Sequence, residues 1–373
     1  MPNTYDTIVI GAGIAGCCTA FALQKKGQNV LLVDRSGSAA TGGSGAAGAF
    51  VSPKIGKGGP LQALTNEAFL FAKDFYKTYF PDYFHQTGVI RIPKDAEDAD
   101  KFPIYEQYND TNYRWIDPAE LKDLGITEKH RSFLFEDAGV CDAPELCNAI
   151  LQTIPFQQFE VTELKHDGTH WYLLNAERLT LNAKHIVLTT GHENTLFDMR
   201  YMGVKGTWGS RGDYYSNLKL DVSMHKKISV SANINGVIKL GATHVKAKEP
   251  CKMCDGRPLK SLEEAAFHMV DISDFVLKET FCGMRAGSKD YFPLAGKVID
   301  VPYMFEHHPK VLRGAKPELK HLENLFILNG VGGRGFVFSP LLAEWLSSLI
   351  VDGKEMDRRM DPDRLFLKWC RKL

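Results

Sequence analysis

The chain has 373 residues, 44% of them hydrophobic and 24% charged, which is the make-up of an ordinary folded protein with room for two domains and excludes disorder as its mode of action. Its 45 lysines and arginines balance 45 aspartates and glutamates. No global field gathers nucleic acid or another polyanion, and any basic surface has to be local.

In chain order, residues 6–10 form a short apolar strand that runs into the segment IVIGAGIAG at 8–16. Gly11, Gly13 and Gly16 occupy the three glycine positions of a dinucleotide fingerprint, and residues 14–25 have helical composition before Gly27 ends them. Residues 29–34, NVLLVD, are a second buried strand. Its terminal Asp34 is placed to accept hydrogen bonds from the ribose hydroxyls of an adenine dinucleotide and to disfavour a 2′-phosphate. The strand so close to the start and the glycines interrupting the apolar run through Ala22 predict no signal peptide, no membrane span and a cytoplasmic location.

Residues 36–48, SGSAATGGSGAAG, are too rich in small residues for a regular element and suit a backbone that approaches phosphates. A helix is predicted over 61–79, then an aromatic and charged stretch over 84–134 with hairpin-like pieces such as 88–93. Residues 139–150 read as a turn and a capped helix. Strands at 159–164 and 170–174 flank the turn Asp167–Gly168 and lead to KHIVLTTG at 184–191, a buried strand that returns to the nucleotide sheet and passes the cofactor at Thr190 and Gly191. Antiparallel strands are predicted over 204–245 and an amphipathic helix over 261–278.

Two further Gly-rich segments follow, CGMRAGSKDYFPLAG at 282–296 and NGVGGRGFVFSP at 329–340. The first fingerprint alone announces only a nucleotide. A second Gly-rich turn opening a helix near the other end supplies another set of backbone N–H groups and another positive helix end, as an electron-rich flavin ring requires. The cysteines are scattered and form no disulfide framework, in keeping with a reducing compartment. Cys251 and Cys254, in EPCKMCDGRP, are the exception: half a zinc site with His244 or His268, a redox pair, or an unmetallated loop.

These segments together resemble the D-amino-acid oxidase and glycine oxidase superfamily of FAD enzymes, and within it the FAD-dependent C-terminal domains of the bifunctional tRNA 5-methylaminomethyl-2-thiouridine biosynthesis proteins, MnmC. The likeness rests on GGSGAAGAFVSP at 42–53, AFLFAKDFY at 68–76, GATH at 241–244, the two late Gly-rich blocks and the tail DPDRLFLKW at 361–369. It implies an α/β fold: a Rossmann-like FAD-binding domain of the glutathione-reductase-2/DAO type, built from 1–80, 135–203 and 282–373, and a discontinuous, mainly antiparallel substrate domain from 81–134 and 204–281. Cofactor contacts are implied for Gly11, Gly13, Ile14, Ala15, Gly16, Asp34, Arg35, Gly43, Ser44, Gly45, Gly48, Val161, Thr190, Gly191, Gly332, Gly333, Arg334, Gly335 and Phe336. EPCKMCDG has no counterpart in the family, and no metal is implied.

The activity implied is oxidation of the carboxymethylaminomethyl group of 5-carboxymethylaminomethyl(-2-thio)uridine at the tRNA wobble position, leaving 5-aminomethyluridine and glyoxylate. No methyltransferase precedes the FAD domain, so a subsequent methylation is assigned to a separate protein. Arg285 is the implied carboxylate clamp, its planar fork matching a carboxylate. Arg334 either steers the flavin or faces the substrate. Tyr291 and His244 are weaker candidates for the pocket wall, and no general base is assigned. Arg358, Arg359, Arg364, Lys368, Arg371 and Lys372 crowd the end of the chain as a candidate basic surface for tRNA. The alternative is oxidation of a free small amine such as glycine, sarcosine or a D-amino acid, which needs no such surface.

Overall fold

A computed structural model describes residues 4–193, 195–247, 254 and 256–373. At its centre Thr4–Ile10 pairs in parallel with Val30–Asp34 on one side and Thr180–Leu188 on the other. Phe156–Gln158 and His321–Asn329 extend the parallel set outward. Antiparallel strands close the eight-stranded sheet: Trp171–Leu174 and Glu163–His166 at one edge, Leu294–Ile299 against His321–Asn329 at the other. The central strands are continuous apolar runs because both faces are covered.

Helices Ile14–Lys25, Pro60–Tyr79 and Gly335–Asp352 cover one face. The first is buried from Ile14 through Leu23, and Gly16 is the position that lets it lie on the sheet, since a Cβ there would collide with Gly11 O and Thr189 Oγ1. The stretch Gly332–Asp352 is the one among the described residues long and apolar enough to cross a membrane, yet more than half of it is buried in the fold. Helix Asp363–Cys370 packs on the opposite face around Tyr201 and Phe366.

The second unit is a nine-stranded, largely antiparallel sheet dominated by Lys205–Tyr215 and Val276–Gly287, which pair along their whole length from Lys205↔Gly287 to Tyr215↔Val276. That register corrects two expectations. The helix predicted over 261–278 spans Arg257–Phe267, because pairing with Tyr214 and Tyr215 draws 276–278 into the sheet. The return to the cofactor domain expected at Cys282 falls inside this strand, and the chain leaves the sheet only after Gly287. A small three-stranded sheet of Phe50–Val51, Phe84–His85 and Gly139–Cys141 lies between the two units in sequence.

The segment read as a turn and a capped helix holds helix Ala143–Leu151, whose N-cap residue Asp142 makes no capping bond. The carboxylate instead accepts from the Lys239 ammonium at 2.7 Å and sits 2.7 Å from His85 Nε2, tying this helix start to the nine-stranded sheet.

Candidate active site

A cavity of about 410 Å3 lies between the two units and draws its lining from both. Its floor begins at the fingerprint. Gly11 has φ +108, and a Cβ there would sit 2.7 Å from Thr189 O, so only glycine lets the turn pass the neighbouring strand end. The helix that follows has no side-chain cap of its own. Ser44 Oγ, from the Gly-rich loop, accepts from Ile14 N–H at 3.0 Å, and the next N–H groups, of Ala15 and Gly16, have no partner within the helix. Asp34 accepts from Ala12 N–H at 2.7 Å and Ser36 N–H at 2.8 Å, which fixes its carboxylate while leaving lone pairs for a ligand.

The Gly-rich loop is clamped from the other sheet. Gly43 and Gly283 allow backbone to lie on backbone: a Cβ on Gly283 would be 2.8 Å from Gly42 O, and one on Gly43 would be 2.5 Å from Met284 O. Arg211, 1% exposed, pairs with Asp213 at 2.8 Å and donates to Gly45 O at 3.2 Å and to Ala47 O. Its guanidinium lies 4.0 Å from the centre of the Phe281 ring. Nothing in the sequence announced Arg211; the signal available was Asp213 two positions on, which alternation puts on the same face of a strand.

Arg285 lies two residues after Gly283 in the same strand and lines the cavity. Its Nη1 donates to Thr243 O at 3.2 Å, and it has no carboxylate partner among the described residues. Gly209 on the neighbouring strand makes room for it, since a Cβ there would collide with the guanidinium. His244 and His225 line the same cavity. Burial, then the charge of Arg285, holds His244 below the ordinary histidine value, so its imidazole is neutral at neutral pH. Asn329, buried at the end of its strand, donates from Nδ2 to Gly191 O at 2.7 Å and joins the two strand ends that floor the cavity.

Of the residues expected at the cofactor, Gly11, Gly13, Ile14, Ala15, Asp34, Arg35, Gly43, Ser44, Gly48, Val161, Thr190, Gly191, Gly332, Gly333, Gly335 and Phe336 line this cavity. Gly16 and Gly45 do not; each packs against backbone, Gly45 against Ala40 O. Arg35 is held bidentately by Glu193 at 2.7 and 2.8 Å. Arg334 sits behind the rim, with Nη1 on Ser52 O at 3.2 Å.

Three expectations need correction. Tyr291 is 79% exposed at φ +68 in a surface turn and is not among the residues that line this cavity. Arg364 is not a free surface cation, because it grips Asp290 at 2.9 and 3.0 Å and donates to Phe292 O at 2.9 Å; Arg359 is likewise taken up by Asp357. Cys254 is paired with Cys282 as a disulfide, with Cα atoms 5.5 Å apart, where no disulfide was expected; Cys251, the other cysteine of the CxxC, lies outside the described residues.

A family profile described as FAD dependent oxidoreductase (DAO) matches residues 6–349. The chain belongs to this family. It is an FAD-dependent oxidoreductase, and the residues fit the cofactor: a glycine turn no Cβ could enter, unpartnered helix N–H groups, a fixed carboxylate at the second strand end and a second Gly-rich helix start on the same cavity. Curated relatives include proteins named tRNA 5-methylaminomethyl-2-thiouridine biosynthesis bifunctional protein MnmC, 24% identical over 92% of this chain in Pseudoalteromonas atlantica and 23% identical over 97% in Methylobacillus flagellatus. The chain spans 55% and 59% of those two proteins. Among solved structures, glycine oxidase from Geobacillus kaustophilus superposes with a TM-score of 0.80 at 18% identity, covering 96% of this chain and 98% of that one. Glycine oxidase from Bacillus cereus gives 0.79 at 19% identity, with 95% and 97% covered. These likenesses fix the fold.

Proposed function

We propose that the chain oxidises a secondary amine bearing a carboxymethyl group, and that its substrate is 5-carboxymethylaminomethyluridine at the wobble position of tRNA in the cytoplasm. The observation that carries this reading is Arg285: a half-buried guanidinium facing the cavity, braced by Thr243 O and given no acid of its own. A bidentate fork held this way fits a substrate carboxylate and positions the adjacent methylene. FAD, when bound there, would supply the two-electron acceptor that turns this C–N bond into C=N. The neutral imidazole of His244 beside Arg285 adds no second charge that would compete for the carboxylate. Water then cleaves the C=N bond, leaving the 5-aminomethyl base and glyoxylate.

The tRNA assignment is supported by the relatives' printed names and by an exposed basic surface around Lys289, Lys368 and Lys372. Incubation of the FAD-loaded protein with tRNA carrying 5-carboxymethylaminomethyluridine, followed by nucleoside mass spectrometry, tests it. Conversion to 5-aminomethyluridine is the expected result. Efficient turnover of glycine or sarcosine with the tRNA left untouched replaces this reading with a small-amine oxidase.

A further inference from the structure

Three short strands of the nine-stranded sheet carry the cavity wall away from Arg285. Ser223–His225 pairs with Ser229–Val230, and that strand pairs with Val237–Gly241, in the register His225↔Ser229↔Gly241. Their neighbours Met224, Val230 and Leu240 are buried in the substrate-sheet core, so alternation turns His225, Ser229 and Gly241 to the opposite face. All three line the cavity, as does Ala242.

The order along this wall is informative. Arg285 is braced on Thr243 O, directly after Gly241 and Ala242, which place no long side chain in the way. Ser229 lies one strand farther on and His225 two, about 5 and 10 Å away at the usual strand spacing. A ligand whose carboxylate is held by Arg285 and which runs along this wall meets Ser229 and then His225.

His225 Nδ1 is 2.7 Å from Ser229 Oγ, and that bond fixes what the two residues can offer. If the hydroxyl donates to Nδ1, then Nε2–H is the remaining donor and Oγ keeps lone pairs; if Nδ1–H donates, the hydroxyl hydrogen is the donor and Nε2 the acceptor. Either tautomer presents one donor and one acceptor. Nε2 has no protein partner among the described residues, yet it is not sealed off. The ring is neutral at neutral pH, because burial first, then Arg91 beside it in register, then Arg334, Lys94 and His244 hold it well below the ordinary histidine value. A second anion on the ligand would face the acceptor, and an ammonium would face the donor. A neutral group with adjacent N–H and C=O satisfies both, and leaving either unmet in a cavity is costly.

The geometry points to His225 and Ser229 as the specificity-determining pair of the site, hydrogen-bonding the N–H/C=O edge of a neutral amide or imide carried on the substrate nitrogen. This rests on Arg285 as the carboxylate clamp and deepens the uridine reading. In 5-carboxymethylaminomethyluracil a methylene, the amine and a second methylene separate the carboxylate from a ring that presents such an edge at O4 and N3–H.

Three probes without ribose or phosphate test it: 5-carboxymethylaminomethyluracil, N-benzylglycine and N-(2-carboxyethyl)glycine. Their dissociation constants are read from the concentration dependence of the anaerobic flavin absorbance change, in wild type, His225→Phe, His225→Gln and Ser229→Ala. Wild type binds the uracil probe about tenfold more tightly than the other two, the scale on which a polar site rejects an apolar analogue. His225→Phe and Ser229→Ala lose most of that ratio, and His225→Gln, whose amide again offers a donor and an acceptor, recovers part of it. A merely structural role would weaken all probes together and leave the ratio intact. Absence of a preference in wild type, tighter binding of N-(2-carboxyethyl)glycine, or a ratio that survives in both His225→Phe and Ser229→Ala overturns the pair. Arg285→Lys weakens all three probes; if it does not, the clamp reading fails while the ratio still judges His225 and Ser229. A wild-type preference for the uracil probe with modified tRNA left unconverted overturns the tRNA assignment and leaves the pair standing. FAD content and thermal melting guard against misfolding, and Ser229→Ala carries the test if His225→Phe does not load FAD.

Discussion

Arg285 depends on an absence next door. A methyl group on Gly209 would collide with the guanidinium and lie 2.7 Å from Thr243 O, a backbone atom that cannot step aside. Gly209→Ala is therefore expected to retain FAD while the rate of anaerobic flavin reduction by substrate falls by at least about tenfold, since small misplacements of the reacting carbon are costly. Arg285→Lys, which keeps the charge but loses the fork, is expected to do the same; wild-type reduction rates in both variants would move the clamp elsewhere. Arg285 was singled out through the likeness of its block to the family's, and it lines the cavity. Arg211 was not, because its partners are carbonyls of a loop more than 160 positions away and no local pattern encodes such a contact. Asp34→Ala tests the other end of the cavity: it removes the acceptor for Ala12 and Ser36 N–H along with the site for a ribose, and a lower FAD content after gel filtration is the expected result.

Among elements, the junction between the helix start at Asp142 and the strand holding Lys239 has a defined pH signature. Burial pushes the Asp142 carboxyl up, but the hydrogen bonds and charges of His85 and Lys239 prevail and hold it at about 2. With the folded value depressed, the stability it contributes is complete above about pH 4, the unfolded carboxylate value, and is lost as pH falls through about 2. Asp142→Ala leaves the Lys239 ammonium, 9% exposed, without its partner, a loss of roughly 3 kcal/mol at neutral pH. Urea unfolding of the variant at pH 7 and over pH 2–5 checks both parts, and a wild-type midpoint at pH 7 would contradict them. The sequence reading named only a capped helix within 139–150 and no ion pair for Asp142, since a cap and a long-range ion pair use the same residue type. Elements with strong local signals, the fingerprint helix Ile14–Lys25 above all, were readable to the residue. Val276–Gly287 was misjudged at its start because its partner strand lies more than sixty positions earlier, beyond the reach of local periodicity.

At the scale of the whole molecule, neutrality forces any tRNA contact to be local, and the structure assembles one candidate from three parts of the chain. Lys289 sits against Lys372, with Lys368 and Lys205 close by, and this crowding lowers its pKa from the ordinary lysine value. All four side chains are exposed. Tyr291 projects from the same turn as Lys289, and Arg364 holds that turn rigid through Asp290 and Phe292 O. Ammonium groups around a solvent-facing aromatic ring suit phosphates and an unstacked base. The pair Lys289→Glu and Lys372→Glu is expected to raise the KM for modified tRNA by about tenfold or more and to flatten its dependence on salt, each lost phosphate contact removing roughly one unit from the slope of log affinity against log salt. Tyr291→Ala is expected to raise the same KM without changing that slope, because stacking releases no counterions. Oxidation of N-propylglycine, which carries no phosphate, is the internal control in the same buffers. If the charge-reversed protein processes tRNA with the wild-type salt slope, the docking surface lies elsewhere and this cluster is only solvated lysine.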